Sequence, residues 1–230
     1  MEKSKRQKII LLITFSILEL SLLIIILFSK LPVKWFCFSS VVLGFCNSLL
    51  YIKKKKNNYL MIISLLICCE ADVFLVLLDS KYKLVGVIFF MIAQLCIGLY
   101  IHSFFNKKEH IIGIIIRSIL NIVFIIACLL VVRDNVDALS IVSCIYFSNL
   151  IANIIISIIH IKDNPILFIG LIFFMLCDLT LGLEIGNGIY LHLSENGILY
   201  KFINLPFNFV WFFYVIAITL LSINTSIDSK

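Results

Sequence analysis

The chain has 230 residues, of which 62% are hydrophobic and only 14% charged, with a mean hydropathy of +1.14. Soluble domains run at about 45–50% apolar and about 25% charged, so a water-soluble fold is excluded. The net charge of +6 sits in short connections between apolar runs, which reads as membrane topology rather than nucleic-acid binding.

The apolar runs are each roughly 20 residues long, enough to cross a bilayer as helices. In chain order they cover residues 9–28, 35–52, 59–78, 84–105, 111–132, 139–161, 165–185 and 203–222. The expected fold is all-α: a polytopic transmembrane helical bundle of about eight helices, forming a single integral membrane domain over residues 1–230. The first run is too long for the core of a cleaved signal peptide, and no small-x-small site follows it. Most connections are short and polar. Only the stretch from Gly186 to Phe202 is long, and a loop of that length is either a cover for a cavity mouth or a passive connector.

With eight spans, one face receives Lys3, Lys5, Arg6, Lys8, Lys53 to Lys56, Lys107, Lys108, Lys162 and Lys230. The other receives Lys30, Lys34, Lys81, Lys83, Arg133 and Lys201. That asymmetry, 12 basic residues against 6, puts both termini in the cytoplasm, with the plasma membrane as the expected location. All eight cysteines fall within apolar runs, without zinc-ligand spacing or an exported disulfide framework, and read as small packing residues.

Polar residues inside the runs recur at helical spacing. In the sixth run Ser143, Tyr146, Asn149, Asn153, Ser157 and His160 share one face. In the third, Ser64, Cys68 and Asp72 do so, while Glu70 points elsewhere. The fourth carries Gln94, Gly98 and His102, and the eighth Asn204, Asn208 and Trp211. Such groups serve as interhelical glue. Several stripes together with buried acids point to a polar interior that can hold a ligand, with Tyr146, Asn149, Gln94 and Asn208 as candidate contacts.

Asp72 and Asp178 carry the strongest chemical signal. A carboxylate in hydrocarbon costs roughly 2.5–3.5 kcal/mol on insertion scales, so it is seldom there without a function. Each lies six or seven residues from the outer end of its helix, or ~9–10 Å, and Tyr146 enters to a similar depth. Two carboxyl groups facing one cavity do not both ionise easily, which suits acid–base hydrolysis of an acid-labile ether, acetal or peptide bond. The one basic residue deep in a run is Arg117, expected to snorkel towards the cytoplasmic end and so to leave both aspartates without a cation. No histidine shows metal-protease spacing, and no metal or organic cofactor is needed. The third, sixth and seventh helices are expected to adjoin.

Ala71-Asp72-Val73-Phe74-Leu75, followed by Gly86, Phe90 and Leu99-Tyr100-Ile101, pairs with a second motif, Phe174-Met175-Leu176-Cys177-Asp178. Lys30-Leu31-Pro32, Tyr146 and Tyr214-Val215-Ile216-Ala217 complete the set. In these segments the chain resembles the lysoplasmalogenase-like YhhN family of eight-helix membrane proteins, over nearly its whole length. It departs from the family pattern at Ala71 for glycine, Cys177 for serine, Gln94 for histidine and Ile218 for glutamine. The resemblance implies hydrolysis of the vinyl ether of a lysophospholipid by Asp72 and Asp178, with release of a fatty aldehyde. It implies roles near the substrate for Tyr146 and Tyr214, and Lys30 at the surface as a phosphate contact or a topology anchor. Two other classes compete: a small transporter binding a proton or cation at the two acids, and an inactive membrane partner protein. Against transport, the sequence shows no internal repeat and no Gly/Pro-broken helix pair.

Overall fold

The computed structural model describes residues 2–29, 33–52, 57–78, 80–132, 136–186, 194, 197–205 and 207–227. Among these residues there are helices and no strands. They are α1 (Glu2–Phe28), α2 (Lys34–Leu49), α3 (Asn58–Asp72), α4 (Lys83–His102), α5 (Lys107–Val132), α6 (Ala138–Ser157), α7 (Pro165–Gly186), α8 (Ile198–Ile203) and α9 (Phe209–Ser226). Seven are long and apolar enough to span a membrane, two of them counted with the short turn that extends them. The chain is therefore an integral membrane protein with an all-α polytopic fold.

The exceptions are the six-residue α8 and the 16-residue α2. At 1.5 Å per residue α2 is ~24 Å long, and its partners show that it still traverses the bundle. Cys37, near its start, clusters with Leu23 and Ile26 of α1 and with Val215 of α9. Ser40 donates a hydrogen bond to Glu19 at 2.6 Å, and Asn47 donates to Ser222 at 2.9 Å. Along α2 the α1 partner number falls while the α9 partner number rises, so α2 runs antiparallel to α1 and parallel to α9. Asn58 donates to the Thr225 carbonyl, and Tyr214 to Asp72, so α3 runs antiparallel to α9. Three consecutive helices thus alternate in direction, and the start of α1 and the end of α9 lie at one face of the bundle.

Two boundaries differ from the sequence expectation. The last long helix begins at Phe209 rather than near 203, because Asn208 caps it: its Oδ1 accepts the Trp211 N–H at 3.1 Å. Residues 198–203 form the separate α8. The third helix does not end as a plain α-helix but continues from Asp72 into a π turn over Val73–Leu77, closed by the Leu78 N–H on the Val73 carbonyl at 2.9 Å. Next to it α3 and α4 approach closely at Gly86, where a Cβ would stand 2.4 Å from Leu75 Cγ.

The outer surfaces suit hydrocarbon. α1 exposes Ile13, Ile17 and Ile24, and α5 exposes Ile115, Ile119 and Ile122. Lipid tails are as apolar as these side chains, so helix association cannot rely on excluding water and uses packing and interhelical hydrogen bonds instead. The contacts of α9 with α2, α3 and α4 carry such bonds in series. Ser222 Oγ donates to the Gly44 carbonyl at 2.7 Å, Asn58 donates to the Tyr51 and Thr225 carbonyls, and Asn224 donates to the Tyr100 hydroxyl at 3.1 Å. Each contributes about 0.6–2 kcal/mol in a membrane. Reporters fused to the two termini should therefore respond to the same side of the membrane; reporters on opposite sides would show that α2 does not cross.

Candidate functional site

Five helices close a ring through successive contacts: α3 with α4, α4 with α6, α6 with α7, α7 with α9, and α9 with α3. The expected direct triad of third, sixth and seventh helices is thus corrected. α6 and α7 adjoin, but α3 reaches them through α4 and α9, because the aromatic side chains of those two helices fill the interior. Phe90 of α4 packs edgewise on Phe174 of α7 and on Tyr214 of α9, with centroids 5.9 and 6.0 Å apart. It also lies 6.0 Å from the Tyr146 ring of α6, and Phe174 lies 5.5 Å from that of Tyr214. Edge-to-face pairs of this kind contribute about 0.5–1.5 kcal/mol each beyond their burial.

Both aspartates border this aromatic centre. Asp72, at the last α-helical position before the π turn, is buried, and its Oδ2 accepts a hydrogen bond from the Tyr214 hydroxyl at 2.8 Å. Asp178, two turns from the end of α7, is partly exposed, and its Oδ2 accepts from the Tyr146 hydroxyl at 2.5 Å. Cys68, one turn before Asp72, and Cys177, next to Asp178, each lie within electrostatic reach of both carboxyls. The two acids therefore share one region of the bundle, yet neither bonds the other. Each has its own tyrosine, from a helix across the seam, and the Phe90–Phe174 pair stands among the four. Among the described residues no lysine or arginine forms an ion pair with either acid. In each pair the tyrosine hydroxyl donates to one carboxyl oxygen, Oδ2.

The other sequence candidates divide. Asn149 and Gln94 are buried in the ring but sit in a second cluster, further towards the C-terminal end of α6 than Tyr146. Asn208 is exposed at the start of α9, where its cap bond occupies it, so it stands outside the ring rather than on an inward stripe. Lys30 and most of the 186–202 connection lie outside the described residues. Glu70 and Glu184 face outward, whereas Glu19 is buried against Ser40 of α2.

Arg117 departs most from expectation. It does not snorkel to the surface but turns inward, donating from Nη1 to Asn149 Oδ1 at 2.6 Å and from Nη2 to Asn153 Oδ1 at 2.7 Å. Two amide acceptors on the polar face of α6 outcompete the surface because they satisfy the guanidinium inside the bundle. Gly98 of α4 makes room for it, since a Cβ there would stand 2.5 Å from Nη2. The carbonyl-bearing stripe was visible in the sequence; that it would hold Arg117 was not.

Cap and pair chemistry set the expected effect of substitution. Removing the Tyr214 hydroxyl leaves the buried Asp72 carboxyl short of a donor, at a cost of about 1–3 kcal/mol. Tyr214→Phe should lower the unfolding midpoint in detergent, while Asp178→Asn, whose amide oxygen still accepts from Tyr146, should stay close to the parent. Equal stability of Tyr214→Phe and the parent would show that the pair is not formed.

The family model described as the YhhN family matches residues 13–223. No curated protein and no solved structure matches the chain. The chain belongs to the YhhN family.

Proposed function

We propose that the protein hydrolyses the vinyl ether bond of lysoplasmalogen-type lipids within the membrane, giving a fatty aldehyde and a glycerophospho-alcohol. The observation that carries this reading is the pair of Tyr–Asp units, Tyr214–Asp72 and Tyr146–Asp178, set about one aromatic interior with no cationic partner among the described residues. Membership of a family associated with lysoplasmalogenase activity supports the same reaction.

The chemistry runs in balanced steps. One aspartic acid, in its protonated form, gives its proton to the β-carbon of the vinyl ether. The π electrons move to form that C–H bond, and the α-carbon becomes an oxocarbenium ion shared with the ether oxygen. The second carboxylate stabilises this cation and orients a water molecule towards the α-carbon. Attack by water forms a hemiacetal and returns a proton to a carboxylate. Collapse of the hemiacetal breaks the bond between the α-carbon and the glycerol oxygen, releasing aldehyde and alcohol. The tyrosine hydroxyls hold each carboxyl so that its other oxygen meets the substrate. The Phe90 and Phe174 rings present electron-rich faces suited to a passing cation. In this reading the protein acts in the plasma membrane with both termini cytoplasmic, on a lysophospholipid drawn from the bilayer.

Aldehyde release from a lysoplasmalogen by the purified protein tests the proposal. Asp72→Asn and Asp178→Asn should each lower the rate by about 10²–10⁴, because an amide neither donates the proton nor balances the cation. The double variant should be little worse than either single one, since groups acting as a unit are strongly non-additive. Glu70→Gln, on the outward face, should keep most of the activity. Loss of activity in Glu70→Gln together with retention in Asp178→Asn would contradict the mechanism, and ion uptake into vesicles without aldehyde release would favour transport instead.

A further inference from the structure

The hydrogen-bond pattern around Arg117 fixes more than the position of one side chain. Arginine only donates, so the two amide oxygens it meets, Asn149 Oδ1 and Asn153 Oδ1, are fixed as acceptors. That fixes the amide nitrogen of Asn153 in turn, which donates to the Gln94 carbonyl at 2.8 Å and to Gln94 Oε1 at 2.9 Å. With its oxygen committed, Gln94 is left presenting its Nε2, which is fully buried and has no acceptor. The network therefore ends in a surplus of donors and of positive charge. No carboxylate compensates it among the described residues, where the ion pairs are those of His160 with Glu109 and Asp163. Gly98, which leaves it room, and His102 also stand near the guanidinium. A buried donor without an acceptor is costly, on the order of 1–3 kcal/mol for a neutral group and more where charge is involved, and a bound anion relieves both deficits at once.

We propose that Arg117 and Gln94, locked in place by Asn149 and Asn153, form a phosphate-binding subsite that seats the headgroup of a lysophospholipid. This rests on the hydrolase reading for the identity of the lipid, but not for the existence of the anion site. The spacing suits the substrate. Asn149 and Asn153 lie three and seven residues beyond Tyr146 on α6, ~4.5 and ~10 Å along the helix axis. Only a few bonds separate the phosphate of a lysophospholipid from its vinyl ether, so a phosphate held at Arg117 presents the reacting carbons to the Tyr146–Asp178 pair. The subsite lies on the side of that pair where α1 begins and α9 ends. The headgroup accordingly enters from the leaflet on that side, not from the face where α2 begins at Lys34.

Equilibrium binding to the full chain in lipid nanodiscs tests this without turnover. The probes are a saturated 1-O-alkyl lysophospholipid, which has no vinyl ether to protonate, the matching 1-O-alkylglycerol without phosphate, and inorganic phosphate as competitor. The parent protein should bind the lysophospholipid about 10-fold or more tightly than the alkylglycerol, the ratio expected for a charge-assisted contact. Arg117→Gln should abolish that preference while leaving alkylglycerol binding unchanged, and Arg117→Lys should restore part of it. Gln94→Leu, which removes only the free amide, should reduce the preference and serves as the test if Arg117→Gln fails to fold. A preference that survives intact in Gln94→Leu and in folded Arg117→Gln overturns the proposal, as does a parent protein with no preference. Displacement of the lysolipid by inorganic phosphate as effectively as by lysolipid itself would mark a soluble-anion site and overturn the headgroup assignment. A protein that shows the Arg117-dependent preference yet releases no aldehyde defeats the hydrolase reading and leaves this subsite standing.

Discussion

A carboxyl group surrounded by hydrocarbon must find a hydrogen-bond donor within the protein, and the rest of this fold follows from how Asp72 and Asp178 do so. Neither has a donor on its own helix. Tyr214 reaches Asp72 only where α9 lies against α3, and Tyr146 reaches Asp178 only where α6 lies against α7. The α4 helix closes the remaining gap through Phe90, whose ring touches both tyrosines and Phe174. The five-helix ring and the two acids therefore depend on one another. Opening the α3–α9 or the α6–α7 seam strands a carboxyl in an apolar medium, at a cost comparable to that of several ordinary interhelical bonds.

Within that ring the polar chemistry separates into two levels. One holds oxygen acids with phenolic donors and aromatic faces, a set suited to giving a proton and receiving a cation. The other, along α6 towards its C-terminal end, holds a guanidinium and amides arranged so that donors exceed acceptors. A lipid whose anionic headgroup lies a few bonds from an acid-labile ether matches that order. The π turn after Asp72 adds a local irregularity of the kind often found at functional positions in helices. It places the acid where the helix widens, next to the close α3–α4 approach at Gly86.

The sequence revealed the class of fold and the two acids because both rest on cost. Long apolar runs with clustered charges allow little but a helical bundle, and two aspartates inside them stand out at once. Tyr146 was legible from depth and from its place on a polar face. Tyr214 was legible only through the family resemblance, since a tyrosine in an otherwise apolar helix breaks no pattern. Asn208 was misread because capping and inward-facing asparagines look alike when a helix start is uncertain by one turn. Arg117 was misread for a different reason. A long side chain reaches either the surface or a neighbouring helix, and only the packing of α5 on α6 decides between them. The π turn left no trace in composition, because Val73 to Leu77 would serve equally well as an α-helix.

Protonation of a vinyl ether carbon by the acid layer, the step we propose, is tested directly by isotope labelling. When a lysoplasmalogen is turned over in D₂O containing ¹⁸O-enriched water, the aldehyde should carry one deuterium on the carbon next to its carbonyl. The glycerophospho-alcohol should carry no ¹⁸O, because its oxygen stays with the glycerol. Incorporation of ¹⁸O into the glycerophospho-alcohol would place the cleavage on the other side of the ether oxygen, and absence of any aldehyde would remove the reaction altogether; either result contradicts the account.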